Sequence, residues 1–362
     1  MNYYCSKCNT KYDITTKKYF CECGGLFKLD FKAKFNADKI KKDRWNIFRY
    51  SEFLPIEGDI SSLTLGEGMT PIIDYKDNIK LKVDYAMPTL SFKDRGAVAV
   101  IGLCRQLGVK SVIQDSSGNA GNSIAAYAAR CNIDCEIFVP KGTSPKKISM
   151  IESHGAKVNI VDGNRDATAK ACRDKAFKGD SFYASHVYNP FFYQGTKTYI
   201  YEVWEQLGRI PDNLIIPLGN GTLFIGAIIA LKELIESNII DKMPKILAVQ
   251  SERCAPIYKG FKAKSKSPLK VTPIDTLAEG IAIGEPMRGA EIMEYIYKYD
   301  VEVIQASEEG ILAAQSELAK EGFFVETTTA ANLSSYYEYI KNNSIKGDVL
   351  ITLCGAGLKS LK

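Results

Sequence analysis

From about residue 95 the chain alternates short apolar runs with longer stretches whose apolar positions recur at helical spacing. Ala97 to Leu107 reads as a helix and leads to the apolar run Ser111-Val112-Ile113. A polar turn, Ser116 to Asn119, opens an alanine-rich helix to Arg130. Cys135 to Val139 reads as a strand ending at Pro140, and Ser144-Pro145 pairs a serine cap with a first-turn proline, which starts another helix. Val158 to Val161 predicts a strand and Arg165 to Phe177 a helix. Beyond Pro211 the pattern resumes with Leu214 to Pro217, the turn Gly219-Asn220-Gly221-Thr222, an apolar helix to Ile235 and the strand Ile246 to Val249. Lys259 to Lys270 is lysine-rich and predicts a solvated loop. The last third predicts a strand at Val301 to Ile304, helices over Glu308 to Lys320 and Thr328 to Asn342, and a strand at Val349 to Thr352. Strands separated by helices of roughly 10 to 15 residues predict parallel βαβ units, with ligand groups at the carboxyl ends of the strands.

The chain before residue 95 is less regular. Residues 1 to about 30 carry two cysteine pairs and Gly24-Gly25, the pattern of a compact knob, and residues 33 to 80 are turn-rich. A length of 362 residues points to two domains, and it is ample for a large buried core. The 47 basic and 42 acidic side chains are interleaved rather than massed, which argues against a nucleic-acid surface. No apolar run approaches the ~18 residues of a membrane span. Met1-Asn2-Tyr3-Tyr4-Cys5 does not read as a signal peptide, so the expectation is a cytoplasmic protein with no membrane partner.

Ten cysteines are too dilute for a disulfide scaffold, but Cys5, Cys8, Cys21 and Cys23 cluster as Cys-x2-Cys, an interval of 12, then Cys-x-Cys. Four thiolates can make a closed tetrahedral zinc site, structural because no coordination position stays open. The tight second pair leaves a reduced, metal-free knob as the alternative. The two histidines exclude a histidine-rich metal centre. His154 ends a helix and reads as structural, whereas His186, shortly before Asn189-Pro190-Phe191, either faces a substrate phosphate or has no chemical role.

Three segments carry chemistry. In Pro88-Thr89-Leu90-Ser91-Phe92-Lys93-Asp94-Arg95-Gly96 a lysine sits just before a helix, where the helix dipole and Arg95 would lower its pKa and favour condensation with an aldehyde. Asp115-Ser116-Ser117-Gly118-Asn119-Ala120-Gly121 follows a strand and opens a helix, forming a nest of N–H groups suited to a carboxylate. Gly219-Asn220-Gly221-Thr222 occupies the same kind of junction and suits a phosphate, but it has neither the lysine of a Walker loop nor dinucleotide-fold glycine spacing.

Together these segments resemble the fold-type II family of pyridoxal-phosphate enzymes, and within it the threonine synthases. Leu65-Gly66-Glu67-Gly68-Met69-Thr70-Pro71, Gln194-Gly195-Thr196-Lys197-Thr198 and Gly355-Ala356-Gly357-Leu358-Lys359 extend the likeness over nearly the whole chain. The resemblance implies that Lys93 binds pyridoxal phosphate as a Schiff base and that Asn119 meets its phenolic oxygen. Gly219, Asn220, Gly221 and Thr222 would hold the phosphate, Phe92 would pack near the ring and Cys354 would face the pyridine nitrogen. Ser117, Gly118 and Ala120 would receive the substrate carboxylate. Lys197 would bind a substrate phosphate or lie on a helix surface. A neutral thiol at Cys354 cannot keep the ring nitrogen protonated, which suits elimination and replacement.

The expected fold is α/β, a two-lobed fold-type II architecture with parallel or mixed sheets flanked by helices, plus a zinc-ribbon-like knob. The expected domains are the knob at 1–30, a large cofactor-binding domain from 31–83 and 201–362, and a small inserted domain at 84–200. The implied reaction converts a small phosphorylated amino acid, O-phosphohomoserine, and water to threonine and phosphate, in a homodimer. The sequence departs from the family at Leu90, where glycine is usual, and at Thr327, where proline follows the glutamate. Leu90 and Cys354 keep a β-elimination or β-replacement enzyme, a dehydratase or a cysteate-synthase-like protein acting on O-phosphoserine, as the alternative. A silent homologue acting as a binding module is the third.

Overall fold

The computed structural model describes residues 1–179, 181–272 and 274–360. The chain opens with β1 (Asn2–Cys5), β2 (Lys11–Asp13) and β3 (Phe27–Leu29), then β4 (Ile72–Asp74) and β5 (Ile79–Lys82). There follow α1 (Lys93–Gln106), β6 (Ser111–Gln114), α2 (Asn119–Arg130), β7 (Asp134–Pro140), α3 (Pro145–Glu152), β8 (Lys157–Val161), α4 (Arg165–Lys178) and β9 (Phe182–Tyr183). The next stretch holds α5 (Pro190–Thr196), α6 (Thr198–Leu207), β10 (Asn213–Pro217), α7 (Thr222–Glu236), β11 (Lys245–Ser251) and α8 (Pro256–Lys262). The chain ends with α9 (Gly289–Lys298), β12 (Glu302–Ala306), α10 (Glu308–Lys320), α11 (Thr327–Ile340) and β13 (Val349–Thr352).

These elements form two compact units. One comprises Met1–Gly68, Met87–Thr89 and Lys93–Thr196, the other Met69–Ala86, Leu90–Phe92 and Lys197–Lys362. The first holds a parallel four-stranded sheet in the order β8-β7-β6-β9 and the antiparallel sheet β2-β1-β3. Its core joins the amino-terminal knob to α1, α2 and α5: Tyr3, Cys5, Cys21 and Phe27 belong to one buried cluster with Ile101, Ile124 and Phe191. Tyr3 stacks on Phe27 at 5.4 Å and meets Phe191 edge-on at 6.2 Å, so the knob is packed by aromatic surface onto helix α5.

The second unit is built on a six-stranded sheet, β12-β11-β10-β13-β5-β4, parallel except for the antiparallel edge strand β4. Strand β10 is buried at every residue, as expected of a central strand covered on both faces. Its core packs Leu81, Ile215, Leu247 and Ile351 against α10 and α11 residues such as Ile311 and Leu333. No helix among the described residues is long and apolar enough to cross a membrane.

Two local expectations change. Helix α1 begins at Lys93, four residues before the periodic stretch, because Asp94 and Arg95 are buried and the first turn is fixed by contacts rather than by apolar spacing. The segment expected to be a solvated loop from Lys259 starts inside α8, where Pro256 occupies the first turn and Ile257 and Gly260 are buried.

Candidate active site

In the first unit Lys93 is half-buried in the first turn of α1, and its ammonium stands 5.7 Å from the centroid of the Phe192 ring. The turn before it is held by the buried Asp94 carboxylate, which accepts the Thr89 N–H at 2.8 Å, the Thr89 hydroxyl at 2.5 Å and the Ser123 hydroxyl of α2. Helix α2 is thus tied to the loop that presents the lysine. Its amino terminus begins at Asn119 with Gly118 as cap, and Gly118 provides no side-chain cap bond. Ser117, Gly118 and Asn119 are half-buried there and Ala120 is buried, so N–H groups at a helix start face a partly open position. The loop is braced by Gln114 Oε1, which accepts the Ser116 N–H at 2.7 Å.

The same unit holds two residues without a firm role in the sequence pattern. Phe192 was invisible as a site residue because an aromatic in a helix reads as core. His186 is buried, accepts a hydrogen bond from Gln114 at Nδ1, and has its pKa held well below the usual range by burial and then by the Lys93 and Arg165 charges.

In the second unit the turn after β10 carries Gly219, Asn220, Gly221 and Thr222. Gly221 has φ +76° and caps the 15-residue helix α7 with no side-chain bond; a Cβ there would also stand 2.7 Å from Ile292 Cδ1. Only glycine meets both demands, and it leaves the N–H groups at the helix start clear of side chains. Cys354 follows β13, is buried, and has its sulfur 3.1 Å from the Thr329 hydroxyl. The Phe92 N–H donates to the Cys354 carbonyl at 3.0 Å, and Ser91 bridges Gly355. Lys93 is the next residue in the chain, so the segment leading to it is pinned beside Cys354. Ser91 Oγ is fully buried and has no hydrogen-bond partner among the described residues.

The two departures from the family have clear local consequences. Leu90 adopts φ +60°, the left-handed conformation that favours glycine, and its carbonyl accepts from the Ala356 N–H at 3.1 Å and from Lys359 Nζ at 2.7 Å. Thr327 opens α11 and donates its hydroxyl to the Leu277 carbonyl at 2.5 Å, a bond that proline could not make. Lys197 does not lie on a helix surface. It is fully buried in the second unit with Nζ 3.0 Å from Glu233 Oε1, and Tyr201 donates to the other oxygen of that carboxylate.

Far from these segments in sequence, the Sγ atoms of Cys5, Cys8, Cys21 and Cys23 lie within 4.8 Å of one another. The contacts are 3.4 Å for Cys5–Cys23, 3.5 Å for Cys8–Cys21 and 3.4 Å for Cys8–Cys23. Four sulfurs about 2.3 Å from a zinc ion would be spaced by roughly 3.8 Å, so the cluster has nearly the right size. The Lys7 and Cys8 N–H groups point at Cys5 Sγ at 3.3 and 3.5 Å, and a Cβ on Gly25 would fall 2.3 Å from the same sulfur.

The pyridoxal-phosphate dependent enzyme family matches residues 63–355. The threonine synthase of Methanocaldococcus jannaschii is 32% identical over 373 residues, covering 98% of this chain and 92% of that protein. The threonine synthase of Mycobacterium tuberculosis is 32% identical over 86% of this chain and 88% of its own length. Among solved structures, the processed form of threonine deaminase isoform 2 from Solanum lycopersicum superposes with a TM-score of 0.71 at 21% identity, over 92% of this chain and 93% of that one. Maize serine racemase gives 0.70 at 18% identity, over 80% and 88%. At these identities the structural likeness speaks to the fold.

Proposed function

Because the chain belongs to the pyridoxal-phosphate dependent enzymes, and within them is of the threonine synthase type, we propose that it converts O-phosphohomoserine and water to threonine and phosphate. The observation that carries this reading is the placement of Lys93: a half-buried amine in the first turn of α1, directly after the Ser91–Phe92 segment bonded to Cys354–Gly355.

The donor set fits the cofactor. Lys93 offers the anchoring amine, Asn119 a side-chain amide and Phe92 an aromatic face. Gly219, Asn220, Gly221 and Thr222 offer a helix start cleared of side chains for a phosphate. Bound there, the cofactor supplies an electron sink that acidifies the substrate's α-carbon. The protein's own residues do the rest. The N–H groups around Ser117, Gly118 and Ala120 hold the α-carboxylate at the start of α2, where the helix dipole favours an anion. The Lys93 amine takes the α-proton and returns it. Cys354 is the residue that would face the cofactor's ring nitrogen.

Lys197 is assigned here to positioning rather than to direct phosphate contact, since its ammonium already pairs with Glu233. Cys5, Cys8, Cys21 and Cys23 are assigned a structural zinc, and a homodimer is the assembly this reading expects. The alternative, β-elimination or β-replacement on O-phosphoserine, is favoured by one observation: Leu90 puts a branched side chain in a glycine conformation three residues before the lysine.

Borohydride trapping followed by peptide sequencing tests the anchor, with the label expected on Lys93. Phosphate release from O-phosphohomoserine and from O-phosphoserine, measured separately, tests the substrate. Release from O-phosphoserine alone would replace the first reading by the second.

A further inference from the structure

Gln114 ends β6, and its side-chain amide has one possible orientation. A backbone N–H can donate but not accept, so the atom that Ser116 N meets at 2.7 Å must be the amide oxygen. The amide nitrogen therefore faces His186 Nδ1, at 3.1 Å. An amide NH2 cannot accept a hydrogen bond, so Nδ1 carries the lone pair and the ring proton sits on Nε2. Burial and two neighbouring positive charges, Lys93 and Arg165, keep the ring from taking a second proton.

The ring is 7% exposed and stands edge-on to Phe192, with centroids 5.9 Å apart, and Phe192 is the aromatic that lies beside the Lys93 ammonium. Among the described residues nothing accepts the Nε2–H. His186 is therefore a neutral donor of fixed tautomer, in the electrostatic field of the reacting lysine, with its proton unused.

We propose that His186 is a specificity-determining residue: its Nε2–H donates a hydrogen bond to an oxygen on the substrate's side chain, either a hydroxyl or a phosphate ester. The proposal rests on the reading of Lys93 as the reacting amine. Both charges acting on the ring are positive, which favours an electron-rich oxygen over another donor. The relay Ser116–Gln114–His186 also begins in the loop assigned to the α-carboxylate, so the two ends of an amino-acid substrate would be read by groups on one hydrogen-bonded chain. A site with a donor of fixed tautomer binds an analogue that lacks the acceptor more weakly, because the hydrogen bond to the substrate is then lost.

The test has two parts. Histidine-selective 15N labelling gives only two rings, His154 and His186. The His186 ring of the holoenzyme should show the Nε2–H tautomer and should not titrate between about pH 6 and 8. Binding of 2-aminobutyrate, homoserine and O-phosphohomoserine is then read from the visible band of the cofactor. His186→Asn keeps an acceptor for Gln114 and removes the distal donor, whereas His186→Gln puts an N–H close to where Nε2–H was. The Asn variant should bind the two oxygen-bearing ligands about tenfold more weakly and 2-aminobutyrate unchanged, and the Gln variant should recover most of that loss. Homoserine against O-phosphohomoserine separates hydroxyl from phosphate as the acceptor. An Nδ1–H tautomer, an imidazolium, or equal effects on all three ligands would overturn the assignment. If no amino acid shifts the band of the unmodified enzyme, the functional reading falls and the assignment with it, whatever the tautomer.

Discussion

The Cys354 sulfur lies 3.1 Å from the hydroxyl of Thr329, and the same hydroxyl accepts the Gly355 N–H at 2.9 Å. The thiol assigned to the pyridine nitrogen is thus held, in a buried position, by a neighbour that is itself fixed to the backbone. Cys354→Ser keeps a small neutral group there and should retain activity within a few-fold. Cys354→Asp would hold the ring nitrogen protonated, and kcat should fall by about tenfold or more with a displaced visible band. Steady-state rates and absorbance spectra of the two variants check this.

Glu67 is buried and accepts from the Tyr127 hydroxyl at 2.8 Å and the Leu65 N–H at 2.9 Å, yet burial raises its pKa from 4.5 to about 7. A raised carboxyl pKa means that the folded state binds the proton more tightly. Its contribution to stability is therefore complete below about pH 4.5 and is lost as pH rises through about 7. The loss amounts to roughly 3 kcal/mol. Glu67→Gln removes the titration, so urea denaturation should find the variant more stable than the parent at pH 8, with the gap closing toward pH 5.

Leu90 is strained by its left-handed backbone, at a cost of roughly 1 to 2 kcal/mol. Leu90→Gly should raise stability by about 1 kcal/mol after the entropy of the extra backbone freedom is deducted, whereas Leu90→Val, with a β-branch, should lower it by a similar amount. Denaturant midpoints of the two variants should fall on opposite sides of the parent.

Lys197 and Glu233 form a buried pair, so Lys197→Met leaves a carboxylate in the core without its cation. The expected cost is about 3 to 5 kcal/mol, and Lys197→Met with Glu233→Leu should recover much of it. A rise in KM for O-phosphohomoserine with stability unchanged would instead make Lys197 a direct substrate ligand.

A zinc ion in the cysteine cluster predicts about one zinc per chain by elemental analysis, and a tetrahedral thiolate spectrum on cobalt substitution. Chelation should lower the melting temperature, because the knob packs Tyr3 against Phe191 and its loosening uncovers that surface.

The order of strands and helices was legible in the chain because caps and apolar periods are local. Helix α10 (Glu308–Lys320) and strand β13 (Val349–Thr352) fall where the pattern puts them. The strand-to-helix turns at Ser116–Gly121 and Gly219–Thr222 were legible for the same reason, since each is a few consecutive residues with one conformational requirement. What the sequence could not determine depends on partners far away in the chain. Lys197 became a buried ion rather than a surface one through Glu233, and His186 acquired its tautomer through Gln114. Leu90 was held left-handed by bonds from Ala356 and Lys359. No local pattern encodes a proton's position or a charge's desolvation, because both are set by which distant atoms the fold brings within a few ångströms.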